Sequence, residues 1–105
     1  MFQLMFYVPA THLEKVKNAL FSAGAGKYRN YDKCCWQIKG KGQFRPLDTG
    51  KPFIGQANKL EQVDEYKVEM IVKDQFLKTV VATLIDAHPY EEPAYSILKT
   101  EQIEN

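Results

Sequence analysis

The densest cluster of chemically capable side chains is His88-Pro89-Tyr90-Glu91-Glu92-Pro93. A neutral imidazole beside a carboxylate can hold a borderline divalent ion such as zinc or copper, which makes His88 and Glu91 the candidate metal ligands. Tyr90 and Glu92 add stacking and hydrogen-bonding groups, so His88, Tyr90, Glu91 and Glu92 are the first candidate ligand-binding residues. The plainer alternative is that His88 caps the carbonyls of a preceding helix while the prolines set the path of the chain. The other histidine, His12, lies far away in sequence, so a stable metal site would need ligands from a second subunit. In an extended segment Glu91 and Glu92 should point apart, which argues against a paired acid–base dyad.

A second cluster is cationic. Lys39, Lys41, Arg45 and Lys51 are interleaved with Gly40, Gly42 and Gly50, and Lys41 and Arg45 are candidate contacts for an anion such as a nucleotide phosphate. The spacing is not that of a P-loop, and no helix follows to present backbone N–H groups. The alternative is a solvated loop, with Phe44 and Phe53 as loop anchors or interface residues. Cys34 and Cys35 are adjacent: soft metal ligands or a reactive thiol on one reading, a strand pair with one thiol in the core on the other. No Ser-His-Asp or Cys-His arrangement is evident, so the expectation is a non-enzymatic protein.

Bulk properties narrow the class. At 105 residues, 45% hydrophobic and 26% charged, the chain should form one globular domain over 1–105 with a modest core. A net charge of +1 gives no footprint for nucleic acid. The apolar run at Met1–Val8 is too short for a membrane span and lacks a basic flank. Adjacent cysteines do not form a spaced disulfide framework. These features point to a soluble cytoplasmic protein without nucleic-acid or membrane partners.

The elements that must position these groups follow from periodicity. Phe2, Leu4, Phe6 and Val8 alternate with Gln3, Met5 and Tyr7, a strand ended by Pro9. Thr11 and Glu14 have capping-box spacing, so a helix should start at Thr11. Its apolar stripe is Leu13, Val16, Ala19, Leu20 and Ala23, and Gly24 is its expected left-handed stop. A second extended region falls within Tyr28–Phe44, with Cys34, Trp36 and Ile38 on one face. Residues 40–60 form a long connection from which part of a hairpin, or a docked segment, is expected. Tyr66–Val72 alternates again, Asp74 is an N-cap candidate, and Phe76, Leu77, Val80, Val81, Leu84 and Ile85 give a second helical stripe. The prolines end that helix near His88 and make the following segment stiff and extended. A short strand from about Tyr95 to Leu98 and a frayed polar tail complete the chain.

A shift of 64 positions superposes the two strand–helix units, pairing Phe2 with Tyr66, Leu13 with Leu77, Leu20 with Leu84 and Gly24 with His88. A repeated βαβ in this length is an α+β, ferredoxin-like split βαβ fold (βαββαβ) with an antiparallel sheet. Helices cover one face, and the other carries Met5, Tyr7 and Ile71 into the open. Such a face predicts a homo-oligomer, and a closed trimer would cover it.

Three blocks of sequence carry a family resemblance. They are Val8-Pro9 with His12 to Val16 and Ala19 to Gly26; Asn30-Tyr31, Gly42, Phe44 to Leu47 and Pro52 to Gly55; and Ala87 to Tyr95. Together they resemble the domain inserted in the bacterial dinuclear-metal-centre hexameric proteins, the NGG1p-interacting-factor-like family. That domain is similar to CutA, the divalent-cation-tolerance protein, and to the trimeric PII signalling fold. The resemblance implies a stand-alone version of the inserted domain. It also implies a trimer whose sheets pack inward, and a binding or regulatory role toward a small molecule or metal. The family's metal pair is held by the flanking halves, which have no counterpart here, so no metal-centre activity carries over. No cofactor is established on this reading; a divalent metal ion is the candidate. The alternatives are a divalent-metal-binding protein of the cation-tolerance type and a nucleotide or anion sensor.

Overall fold

Alternation of apolar residues makes the first strand, β1 (Phe2–Pro9), the centre of the molecule: Leu4, Phe6 and Val8 are fully buried beneath the helices. The computed structural model describes residues 1–48 and 54–103. After β1 come a 3-10 turn (Ala10–His12), α1 (Leu13–Ser22), β2 (Trp36–Phe44) and β3 (Glu61–Val72). A second 3-10 turn (Asp74–Phe76), α2 (Leu77–Ala87) and β4 (Tyr95–Lys99) complete the order. The strands form one antiparallel sheet in the order β2-β3-β1-β4. This is the expected ferredoxin-like α+β arrangement, and the two central strands are the ones that the shift of 64 relates. The register pairs Phe2 with Val72 and Val8 with Tyr66.

Period 3.6 in the helices meets period 2 in the strands along one layer. Val16 and Leu20 of α1, Val80 and Leu84 of α2, and Val68, Met70 and Val72 of β3 join the β1 residues in a single core. Fully burying each such side chain contributes roughly 1.5–3 kcal/mol. The opposite face is uncovered. It carries Met5 and Tyr7, with Trp36 57%, Ile38 52% and Leu98 54% exposed. β2 and β3 pair along nine residues, from Trp36↔Glu69 to Phe44↔Glu61, and give the molecule a long axis of 52 Å. Of the connection expected over 40–60, residues 40–44 belong to this arm and the described residues 45–48 and 54–60 carry no strand; Gly50, Lys51, Pro52 and Phe53 lie outside the described residues. At the other end, the Thr100 N–H donates to the Met1 carbonyl at 3.0 Å, prolonging the β1–β4 pairing.

The two helices stop by different means. α1 closes on Gly24 (φ +116°), whose N–H bonds the Phe21 carbonyl at 3.1 Å while Ala25 N–H reaches Leu20 at 3.0 Å. Phe76 packs so closely here that a Cβ on Gly24 would lie 2.7 Å from its ring. α2 closes on His88, which is extended (φ −74°, ψ 140°) ahead of Pro89.

Several local expectations are corrected. The Thr11–Glu14 capping box does not form: the chain takes a 3-10 turn first, Thr11 Oγ1 meets His12 Nδ1 at 2.8 Å, and Glu14 pairs with Lys17 at 3.1 Å. Asp74 lies inside its 3-10 turn and accepts from the Met1 amine, so it caps nothing. β2 starts only at Trp36, leaving Cys34 half-buried and Cys35 exposed in the connection before it, with neither thiol in the core. Trp36 and Ile38 do share a face, but it is the open one. His88 itself has an extended backbone, but the path over residues 88–92 bends and does not run straight on.

Candidate functional site

The bend after α2 is organised by His88, which is only 5% exposed. Its Nε2 lies 2.6 Å from the Tyr7 carbonyl oxygen, and its Nδ1 accepts from the Tyr90 N–H at 3.1 Å. The pair of contacts fixes the tautomer: Nε2 carries the proton and the ring is neutral. Burial pushes His88 below the ordinary imidazole range; the Tyr7 carbonyl opposes that shift and the charge of His12 adds to it. The side chain does cap a carbonyl, but one on strand β1, not on α2. Both ring nitrogens are thereby engaged with backbone, and a metal bound at His88 would have to displace one of these bonds. Among the described residues no three His, Cys, Asp or Glu side chains group closely enough to hold a metal ion.

Folding back on His88 places Tyr90 against its ring, centroids 4.8 Å apart, and 6.2 Å from the ring of Phe44 at the end of β2. The bend thus meets the β2–β3 arm, and between them lies a cavity of about 700 Å³ on the open side of the sheet. Tyr90, Glu91 and Glu92 line it from the bend; Lys41 and Arg45 line it from the arm. Two stretches that were separate in the sequence therefore share one cavity. His88 stands behind its wall, supporting Tyr90. Glu91 and Glu92 do not separate, because the bend turns both toward the same space.

Sequence reasoning missed Glu65, Lys67 and the floor. Alternation on β3 places Glu65 and Lys67 on the open face, but only the β2–β3 register brings Glu65 opposite Gly40 and beside Gly42. The Glu65 carboxylate lies across Gly42, in space a Cβ would take. Burial raises Glu65 above the usual carboxylate range. Tyr90 is pushed up by burial first and then by the charge of Glu65. Lys41 turns its ammonium away to Asp64, 2.6 Å distant across the strand pair, and holds that carboxyl below its usual range. Lys67 pairs with Glu69 at 3.4 Å. Arg45 makes no ion pair among the described residues.

Comparison with known proteins bears on the fold. No protein-family model matches the chain. A protein of Halalkalibacterium halodurans named GTP cyclohydrolase 1 type 2 homolog is 45% identical over 97 residues, which are 92% of this chain and 26% of that protein. A homolog of the same name from Mycobacterium leprae is 40% identical over 93 residues, 89% of this chain and 24% of its own length. The crystal structure of a Bacillus cereus protein related to NIF3 superposes with a TM-score of 0.82 at 34% identity, over 96% of this chain and 26% of that one. The chain is a PII/CutA-like domain of the NIF3-related (NGG1p-interacting-factor-like) family. It spans about a quarter of the length of the curated relatives it matches. The domain also shares its fold with CutA1 from Pyrococcus horikoshii (TM-score 0.71, 14% identity, 99% of this chain and 87% of that one). No helix among the described residues is long and apolar enough to cross a membrane.

Proposed function

We propose that this domain, residues 1–105, is a non-enzymatic, homo-oligomeric binding module of the cytoplasm. Its sheets close against one another in a trimer, and the cavity between the bend and the arm takes a small ligand. The observation that carries this reading is the uncovered apolar face of Tyr7, Trp36, Ile38 and Leu98, continuous with that cavity. Contiguous apolar surface of this kind marks interaction sites, and the trimers implied by the resemblance to PII and CutA agree with it. Cys34 and Cys35 are free thiols, in keeping with a reducing compartment. The cyclohydrolase name belongs to proteins of which this chain spans 26%, and no reaction is proposed for the domain. Light scattering on a sizing column tests the assembly: a mass three times the 12.1 kDa chain supports the trimer, and a monomer at micromolar concentration overturns it.

A divalent-cation role has its support in the names of structural neighbours such as a divalent cation tolerance protein CutA from Archaeoglobus fulgidus. It ranks second because the His88 ring is already bonded on both nitrogens. Calorimetric titration with zinc and with copper, wild type against His88→Ala, decides it: equal weak binding by both removes the metal reading. Anion sensing through Lys41 and Arg45 ranks third, since Lys41 is paired to Asp64 and Glu65, Glu91 and Glu92 line the same space. It would require stabilisation by inorganic phosphate.

A further inference from the structure

Strand β2 carries two glycines in its interior, Gly40 and Gly42, where a glycine weakens a strand relative to alanine. Neither has the positive φ that would demand glycine. At Gly42 the reason is steric, because the Glu65 carboxylate occupies the space of a Cβ. At Gly40 no atom lies within 4 Å of an added Cβ. What Gly40 keeps open is cavity, and interior strand glycines occur where a ligand or another backbone approaches closely.

The register puts Gly40 and Gly42 between Ile38 and Phe44 on the open face; the floor is bare peptide at Gly40 and is covered by the Glu65 carboxylate at Gly42. Tyr7, Phe44 and Tyr90 contribute aromatic walls, and Glu65 stands at the floor's edge. We infer that this cavity takes a small planar ligand whose ring lies on the Gly40 backbone and whose cationic group pairs with the neighbouring Glu65 carboxylate. The inference deepens the binding reading above and rests on it. Charge favours it. The Lys41 and Lys67 ammonium groups are committed to Asp64 and Glu69, whereas Glu65 and Glu92 face the cavity with Arg45. The burial that raises Glu65 toward its neutral form is offset when a cation docks beside it.

Three probes of one shape test this: benzamidine (cationic), benzamide (neutral) and benzoate (anionic), followed by saturation-transfer NMR on the full chain, with Gly40→Val and Glu65→Gln variants. Benzamidine should bind the wild type, about tenfold more weakly to Glu65→Gln, and not at all to Gly40→Val. The valine variant should melt no lower than the wild type, since its side chain meets open space and favours a strand. Gly40-sensitive binding of benzamide or benzoate at least as tight as that of benzamidine would overturn the cationic class and leave the cavity as a binding site. If no probe shows Gly40-sensitive binding, the binding reading falls with it. A change of oligomeric mass in Gly40→Val would assign the bare floor to a subunit contact and overturn the proposal.

Discussion

The His88 imidazole donates from Nε2 to the Tyr7 carbonyl at 2.6 Å, across 81 positions of sequence. β4 begins at Tyr95, opposite Phe6, and its pairing fades at the 3.4 Å bond from Tyr7 N–H to the Ala94 carbonyl. The imidazole takes the strand acceptor that a longer β4 would have used. One side chain at the end of a helix therefore completes a sheet edge and, through Nδ1, fixes the turn that carries Tyr90.

Replacing His88 with alanine leaves the Tyr7 carbonyl and the Tyr90 N–H without their partner in a buried corner. Each such loss costs about 1–3 kcal/mol, so His88→Ala should lower unfolding free energy by about 2–4 kcal/mol in a urea titration. Tyr90 fluorescence should shift in the folded state as its ring loosens from the wall.

Acid should weaken the same corner. The folded pKa of His88 lies below its ordinary 6.5, so the unfolded chain binds the proton first. The neutral ring's stabilisation is complete above about 6.5 and is lost as pH falls from there through the folded pKa. Melting temperature measured from pH 7.5 downward should fall through that window for the wild type and less steeply for His88→Gln. Equal slopes would rule out His88 as the group responsible.

Gly24 allows no side chain. Its φ of +116° is costly for any L-residue, and a Cβ would meet the Phe76 ring at 2.7 Å. Gly24→Ala should destabilise by about 2–4 kcal/mol, combining backbone strain with overpacking. Pairing it with Phe76→Ala should recover part of that loss, read as a non-additive double-mutant cycle.

Charge placed on the open face should separate assembly from folding. Trp36 and Ile38 are more than half exposed, so Trp36→Glu with Ile38→Glu removes little core packing. The double variant should run as a monomer while retaining the far-ultraviolet spectrum of the fold. A trimer that survives both charges would place the contact elsewhere.

The parts legible in the sequence are those that a period can encode. Alternation marked β1 and β3, the 3.6 period marked α1 and α2, and superposing the halves yielded the topology. The helix starts are not legible from Thr11 and Asp74, which have capping side chains, because each helix is entered through a 3-10 turn. β2 was harder. Its outward residues, Trp36, Ile38, Gly40, Gly42 and Phe44, mix bulky apolar groups with glycine and suit no simple pattern. The cavity depends on the register between β2 and β3, and single-strand patterns carry no register. Hence Tyr90, Glu91, Glu92, Lys41 and Arg45 were found one by one, while Glu65, which lies between the two groups, was not.

The bond from Thr100 N–H to the Met1 carbonyl has a consequence for how this unit can be housed. A chain entering at β1 and leaving after β4 does so across a gap of about one strand spacing, near 4.8 Å. A surface loop of a larger protein can bridge that gap with almost no loop-closure penalty. The backbone on either side is held by sheet pairing and not by a slack tether, so a host would inherit the orientation of the sheet along with the domain. Gain or loss of the whole unit would then ask little of the host beyond one closely spaced pair of chain ends.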